Sequence, residues 1–220
     1  MSERREAAAP PGPADRGERG ALRVLLATRN AKKLGELRRI LDGVPVTLVG
    51  LDDVPAFAEV PETGLTFEEN ALIKARAAVA ATGLPTVADD SGIAVDALNG
   101  MPGVFSARWA GKHGDDTANL ELLLAQVGDV PDEHLGAAFV CAAALVLPDG
   151  REFVTDGRQP GRLVRVPRGD GGFGYDPIFQ ADGHDRTNAE LTPAEKDAIS
   201  HRGQAFRAMA AVIADLFPRS

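Results

Sequence analysis

Cysteine is nearly missing: Cys141 stands alone in 220 residues. One thiol excludes any disulfide within the chain and any cysteine-rich zinc site. Long apolar runs are missing too. The longest, through Phe139 and Leu147, is too short to span a bilayer. No basic stretch followed by an apolar one opens the chain, so no secretory leader is read and a cytoplasmic protein is expected. Basic residues are outnumbered, with 24 Lys and Arg against 32 Asp and Glu, a net charge of −8. A broad nucleic-acid surface needs a basic stripe to displace counterions, so neither nucleic acid nor membrane is expected as a partner. A small polyanion is not excluded, provided that a local basic cluster or a metal ion overcomes the global field.

What is present is ordinary for a soluble globular chain: 44% hydrophobic and 25% charged residues, enough length for a sizeable core. Residues 1–20 are rich in Ala, Pro, Gly, Arg and Glu and read as a disordered tail, because they bury too little to offset ordering entropy. One domain is expected over 21–218. Apolar runs predict strands over 22–27, 46–49, 85–88, 93–98, 137–147 and 152–156. Helical spacing predicts helices over 32–41, from Thr66, over 115–126, from Thr192 and over 201–217. Thr66 with Glu69, and Thr192 with Pro193 and Glu195, are helix-start signatures. Asn99-Gly100 and Pro148-Asp149-Gly150 read as turns. The pattern is α/β or α+β with a mixed sheet.

Four segments carry chemistry. Thr28-Arg29-Asn30-Ala31-Lys32-Lys33 joins a strand to a helix, where free N–H groups and the dipole favour an anion. Two lysines at a helix start are unfavourable for the bare helix and make sense beside a phosphate; the plain alternative is solvated lysines and an Asn cap. Ala88-Asp89-Asp90-Ser91-Gly92 follows an apolar strand and suits an oxygen-ligand Mg²⁺ site, or simply a turn. Neighbours on an extended chain face opposite ways, so one carboxylate reaches any given pocket. Gly169 to Pro177 holds four glycines in six positions, with Phe173 and the only tyrosine, Tyr175, placed to stack on a base or to tuck into the core. Lys196, Ser200, His201 and Arg202 bring three cationic groups together, and a guanidinium fork suits carbonyl or phosphate oxygens. Asn70 and Lys74 share a helix face, Glu62 lies in the loop before that helix, and Arg108 and Trp109 have no evident place. His113, His134 and His184 show no metal-ligand spacing and receive no role.

Together these segments resemble the inosine triphosphate pyrophosphatase family. The matching stretches run in order from Ala27–Lys33 through Glu62–Ala71, Ala88–Gly92, Pro102–Arg108 and Gly172–Phe179 to Glu195-Lys196 and Ile199–Arg202. The resemblance implies a single α/β domain with a long curved mixed sheet flanked by helices. It implies a Mg²⁺-dependent homodimer that hydrolyses dITP, ITP or XTP to the monophosphate and pyrophosphate. It maps a phosphate loop onto Thr28, Arg29, Asn30, Ala31, Lys32 and Lys33, and the metal-binding, proton-accepting aspartate onto Asp90. Ser91, Phe173, Gly174, Tyr175, Asp176, Lys196, His201 and Arg202 become substrate contacts, and Glu62 a second metal carboxylate. The family usually has Gly where this chain has Arg29, and often a second acid where this chain has Pro61. The rival readings are a pyrophosphatase for modified pyrimidine or methylated nucleotides and a nucleotide sensor without hydrolysis. The Asp89-Asp90 pair opposes the sensor, since two carboxylates near phosphates repel unless a cation is present.

Overall fold

Val24, Leu25 and Leu26 are all fully buried, which a strand achieves only when both its faces are covered. They form β1 (Arg23–Leu26) in a computed structural model that describes residues 22–218. The expected tail over 1–20, and residue 21 with it, lie outside the described residues. β1 pairs in parallel with β2 (Thr47–Val49) and β3 (Thr86–Val95). β4 (Gly136–Val146), β5 (Glu152–Leu163) and β6 (Phe179–Ala181) continue antiparallel, giving the order β2-β1-β3-β4-β5-β6. The result is one mixed α/β sheet, and no helix among the described residues is long and apolar enough to cross a membrane.

Strand alternation assigns each sheet face its own helices. On one face α1 (Ala31–Ile40) and α5 (His201–Leu216) bring Leu37, Leu41, Phe206, Met209 and Ile213 against Val24, Leu26, Val87, Cys141 and Leu145. On the other face α2 (Phe67–Thr82) lays Ala71 and Ala75 on Ala88, Ala142, Ala144 and Val146. Small residues on both sides let the helix backbone approach the sheet closely. α3 (Asp116–Gln126) closes the far half with Leu120 and Leu123 against Ile93, Val95 and Phe139. The cysteine is therefore a core residue, and burial pushes its thiol pKa far up.

The helix starts match their sequence signals. Thr66 accepts from the Glu69 N–H while Glu69 answers the Thr66 N–H, and Thr192 and Glu195 do the same ahead of α4 (Pro193–Ile199). Asn99 and Gly100 both have positive φ, 52° and 86°, as a tight turn requires.

Two strand expectations need correction. The segments over 85–88 and 93–98 are not separate strands around an Asp-Asp turn; β3 runs unbroken through the polar stretch, because β4 pairs with all ten of its residues, from Thr86↔Val146 to Val95↔Ala137. The second hairpin strand also runs past 156, to Leu163, with Pro160 inside it. Pro160 is tolerated because β6 pairs only with Gly161–Leu163, so β5 is an edge there.

Candidate active site

β3 places Asp89 and Asp90 side by side in sequence and back to back in space. Asp89 faces α1 and α5, and Asp90 faces α2, as alternation along a strand demands. Gly92 follows on the same strand. A side chain there would collide with Ser106 and the Gly103 carbonyl, so glycine lets the 3₁₀ turn Gly103–Arg108 press against β3. That turn delivers Arg108 to the site.

On the α2 face, Lys74 Nζ lies 3.0 Å from Asp90 Oδ1 and 3.0 Å from Glu62 Oε1. Asn70 donates to Asp90 Oδ2 at 3.2 Å, and Arg108 holds the other Glu62 oxygen at 3.1 Å. Burial pushes the Asp90 carboxyl above the usual range; Lys74 opposes that, and the nearby Glu62 charge adds to it. Glu62 is also penalised by burial, yet Lys74 and Arg108 hold it below the usual range. Lys74 stays cationic: burial works against its charge, but Asp90, Asp89 and Glu62 outweigh it.

On the opposite face lies a denser network. Lys33 Nζ meets Asp89 Oδ2 at 3.0 Å, the Ser91 hydroxyl donates to the same oxygen at 3.3 Å, and Arg202 Nε lies 3.5 Å away. Arg202 donates to Ser91 Oγ at 2.9 Å and to Glu36 Oε2 at 2.5 Å. Lys196 bridges Glu36 at 3.2 Å and Asp176 at 2.7 Å. Burial alone would raise the Asp89 carboxyl, but Lys33, Arg202 and Lys74 hold it well below the usual range. His201 stacks on Phe139 at 4.9 Å between ring centroids. Burial first, then Arg202, Lys196 and Lys33, keep it neutral far below its ordinary pKa.

The glycine loop closes this face. Gly172 has φ +69°, and a side chain there would strike the Asp176 carboxylate, which also accepts the Phe173 N–H at 2.9 Å. The Phe173 ring lies 4.9 Å from Lys196 Nζ and 5.5 Å from the Arg202 guanidinium. Gly174 N–H donates to Asp116 at the start of α3. Tyr175 is only 4% exposed, and its hydroxyl donates to the Ser106 carbonyl at 2.8 Å. It therefore serves as wall with a spent hydroxyl, while Phe173 carries the more open ring.

Two cavities of about 180 and 130 Å³ meet here, sharing Asn30, Lys33, Ser91, Ala107 and His113 as a waist. The first is lined by Thr28, Arg29, Glu62, Lys74 and Asp90, the second by Phe173, Gly174, Tyr175, Asp176, Lys196, His201 and Arg202. Ala31 lines neither, and Lys32 leans over the Phe173 ring at 5.7 Å. One expectation about the phosphate loop needs correction. The α1 start does not offer all its N–H groups, because the Asn30 side chain already accepts from Lys32 and Lys33.

Sequence reading missed Glu36, passed over His113 and could not place Arg108. Glu36 is three residues beyond Lys33 on one helix, so it shares that face; this spacing was the available signal. Burial costs the Glu36 carboxylate, yet Arg202 and Lys196 hold it below the usual range. A depressed carboxyl contributes stability that is whole above its unfolded pKa and lost as pH falls through the folded one. Glu36→Gln strands two buried cations and should cost about 3–5 kcal/mol at neutral pH. In urea titrations the gap to the parent should stay level from pH 7 down to the ordinary glutamate range and close below it. A gap that persists unchanged into strong acid would mean that the charge is not what matters.

Comparison with known proteins gives concordant results. The Ham1 family profile matches residues 24–212. A dITP/XTP pyrophosphatase of Nocardia farcinica is 65% identical over 201 residues, covering 90% of this chain and 98% of its own. One from Streptomyces coelicolor is 63% identical, covering 88% and 98%. The crystal structure of a nucleoside-triphosphatase, dITP/XTP pyrophosphatase, from Mycobacterium abscessus is 62% identical with a TM-score of 0.72, covering 90% of this chain and all of that one. A HAM1 protein from Coxiella burnetii, 42% identical, superposes with a TM-score of 0.80 over 88% and 99% of the two chains.

Proposed function

This chain belongs to the Ham1 family, and from that premise we propose that it hydrolyses dITP, ITP and XTP to the monophosphate and pyrophosphate. The observation that carries the reading is the pair of joined cavities: Asp90, Glu62 and Lys74 at one end, Phe173, His201 and Arg202 at the other, Lys33 and Ser91 between. The triphosphate belongs in the first and the base in the second.

Charge matching argues for a divalent cation. Lys33, Lys74, Arg108, Lys196 and Arg202 are each paired with carboxylates of Asp89, Asp90, Glu62, Glu36 or Asp176. The paired set holds little surplus for a polyanion, leaving Lys32 and the exposed, loosely paired Arg29 beside the α1 start. Among the described residues no group of three or more metal-ligating side chains is found. Mg²⁺ asks for less, typically one or two carboxylates completed by substrate phosphates and water. Asp90 and Glu62 fit: both face one cavity, and Asp90 is a buried carboxylate that its present cations leave short of compensation. A divalent ion held by these two carboxylates would neutralise phosphate charge and lower the pKa of bound water. Asp90 orients the attacking water toward the α-phosphorus, Asn70 and Lys74 fix the carboxylate, and Lys33 with Thr28 to Lys32 steadies the phosphates.

In the base cavity, Phe173 offers a ring face. His201 is neutral, and its Nδ1 has no hydrogen-bond partner, nor does Arg202 Nε. Donors anchored at this end accept only a base with an acceptor at position 6, as in hypoxanthine and xanthine. Adenine presents a donor there and leaves buried groups unpaired. We extend the reading to a cytoplasmic homodimer, whose oligomeric state sedimentation of the purified chain tests directly.

Product analysis with ITP, dITP, XTP, GTP and ATP in parallel tests the whole. The first three should give monophosphate plus pyrophosphate, and release of diphosphate plus phosphate would refute the assigned bond. Chelation should abolish turnover, with Mg²⁺ restoring it. Undiminished hydrolysis in excess chelator would remove the metal from the account.

A further inference from the structure

Between Val54 and Gly64 the chain has neither helix nor strand, yet Phe57 to Val60 forms one wall of the phosphate cavity. Among the described residues, its backbone between Val54 and Thr63 receives one side-chain hydrogen bond, from Arg29 Nη2 to the Phe57 carbonyl at 3.0 Å. The same guanidinium lies 6.0 Å from the centre of the Phe57 ring and 3.9 Å from Glu59 Oε2. Its side chain is 51% exposed and that of Glu59 77%. Exposed pairs of this kind contribute little, so the contact opens readily. Arg29 also stands one residue before the Asn30 cap and lines the same cavity.

We infer that Arg29 is the latch of this strap, closing Phe57–Val60 over a bound triphosphate. The inference rests on the function proposed above. A guanidinium has five donors in a planar fork, so it can hold the Phe57 carbonyl and still take a phosphate oxygen. It also screens that phosphate from Glu59, which otherwise faces it with like charge. Arg29 is thus a binding residue that touches both the cavity wall and a phosphate oxygen, away from the bond that is cleaved.

The test reads the strap and the reaction separately. A glutamyl endopeptidase cuts native protein at Glu59-Val60 when the strap is open, with the site fixed by mass spectrometry. In the parent, inorganic tripolyphosphate with Mg²⁺ should slow that cut about tenfold, the effect of one charge-assisted hydrogen bond. Arg29→Gly should be cut faster and lose the protection. Its KM for ITP should rise about tenfold with kcat within about twofold, since the lost contact is one of binding. Arg29→Lys keeps the charge without the fork, and should recover KM in part but not the protection. Protection of Arg29→Gly equal to the parent's would overturn the latch, as would full recovery of protection by Arg29→Lys. Absence of ITP hydrolysis in the parent would defeat the functional reading instead, because the cutting assay with tripolyphosphate needs no turnover.

Discussion

Asp90→Asn should leave a folded protein whose turnover of ITP falls about a thousandfold or more, within the range lost when a group that handles a reacting proton is removed. The substitution preserves shape; the amide keeps one oxygen for Asn70 or Lys74, and Lys74 keeps Glu62 as its counterion. Stability should not suffer. A carboxyl whose folded pKa is raised costs stability once pH exceeds its unfolded value, and the cost grows up to the folded one. The amide removes that cost, so the melting temperature at neutral pH should equal or exceed the parent's. A site that gains stability and loses activity on one atom's exchange is held in tension for its chemistry. Retained activity of more than a few per cent, or a collapsed melting temperature, would remove Asp90 from the role given to it.

The contrast between Asp89 and Asp90 also shows how far sequence reading reaches. Local signals carried the helix starts at Thr66 and Thr192, the Asn99-Gly100 turn and the opposite facing of the two aspartates. They failed where compensation comes from far along the chain. Asp89 and Ser91 sit inside β3 rather than at its end because Lys33 and Arg202 arrive from 56 and 111 residues away. Without those cations two acids in a strand interior read as a turn. Glu36 was hidden the same way: its partner Arg202 is 166 residues distant, and an acid on a charged helix ordinarily faces water. The residues of the second cavity were legible as types, while the spending of the Tyr175 hydroxyl on Ser106 was not, since that contact also spans 69 residues.

The proposed function assigns the choice of purine to Arg202, and its replacement should then erase much of that choice. It is 3% exposed, anchored by Glu36 and Ser91, and lines the cavity beside Phe173. Sites that reject a ligand by leaving buried donors or acceptors unpaired discriminate by about 10⁴–10⁵. Arg202→Ala should lower the kcat/KM preference for ITP over ATP by about a hundredfold, a large part of that range. It should also cost about 3–5 kcal/mol, because Glu36 and Asp89 lose a buried cation. Fold damage and lost recognition therefore need separating. Arg202→Lys does so, since an ammonium keeps a charge near Glu36 but cannot span Glu36 and Ser91 as the planar fork does. It should hold most of the stability and still lose selectivity. The decisive quantity is the ITP-to-ATP ratio in this variant, because a ratio cancels any general loss of active protein. If that ratio matched the parent's while Arg202→Ala merely unfolded, Arg202 would be a strut for Glu36 and Asp89, and the choice of base would fall to the neutral His201 beside it.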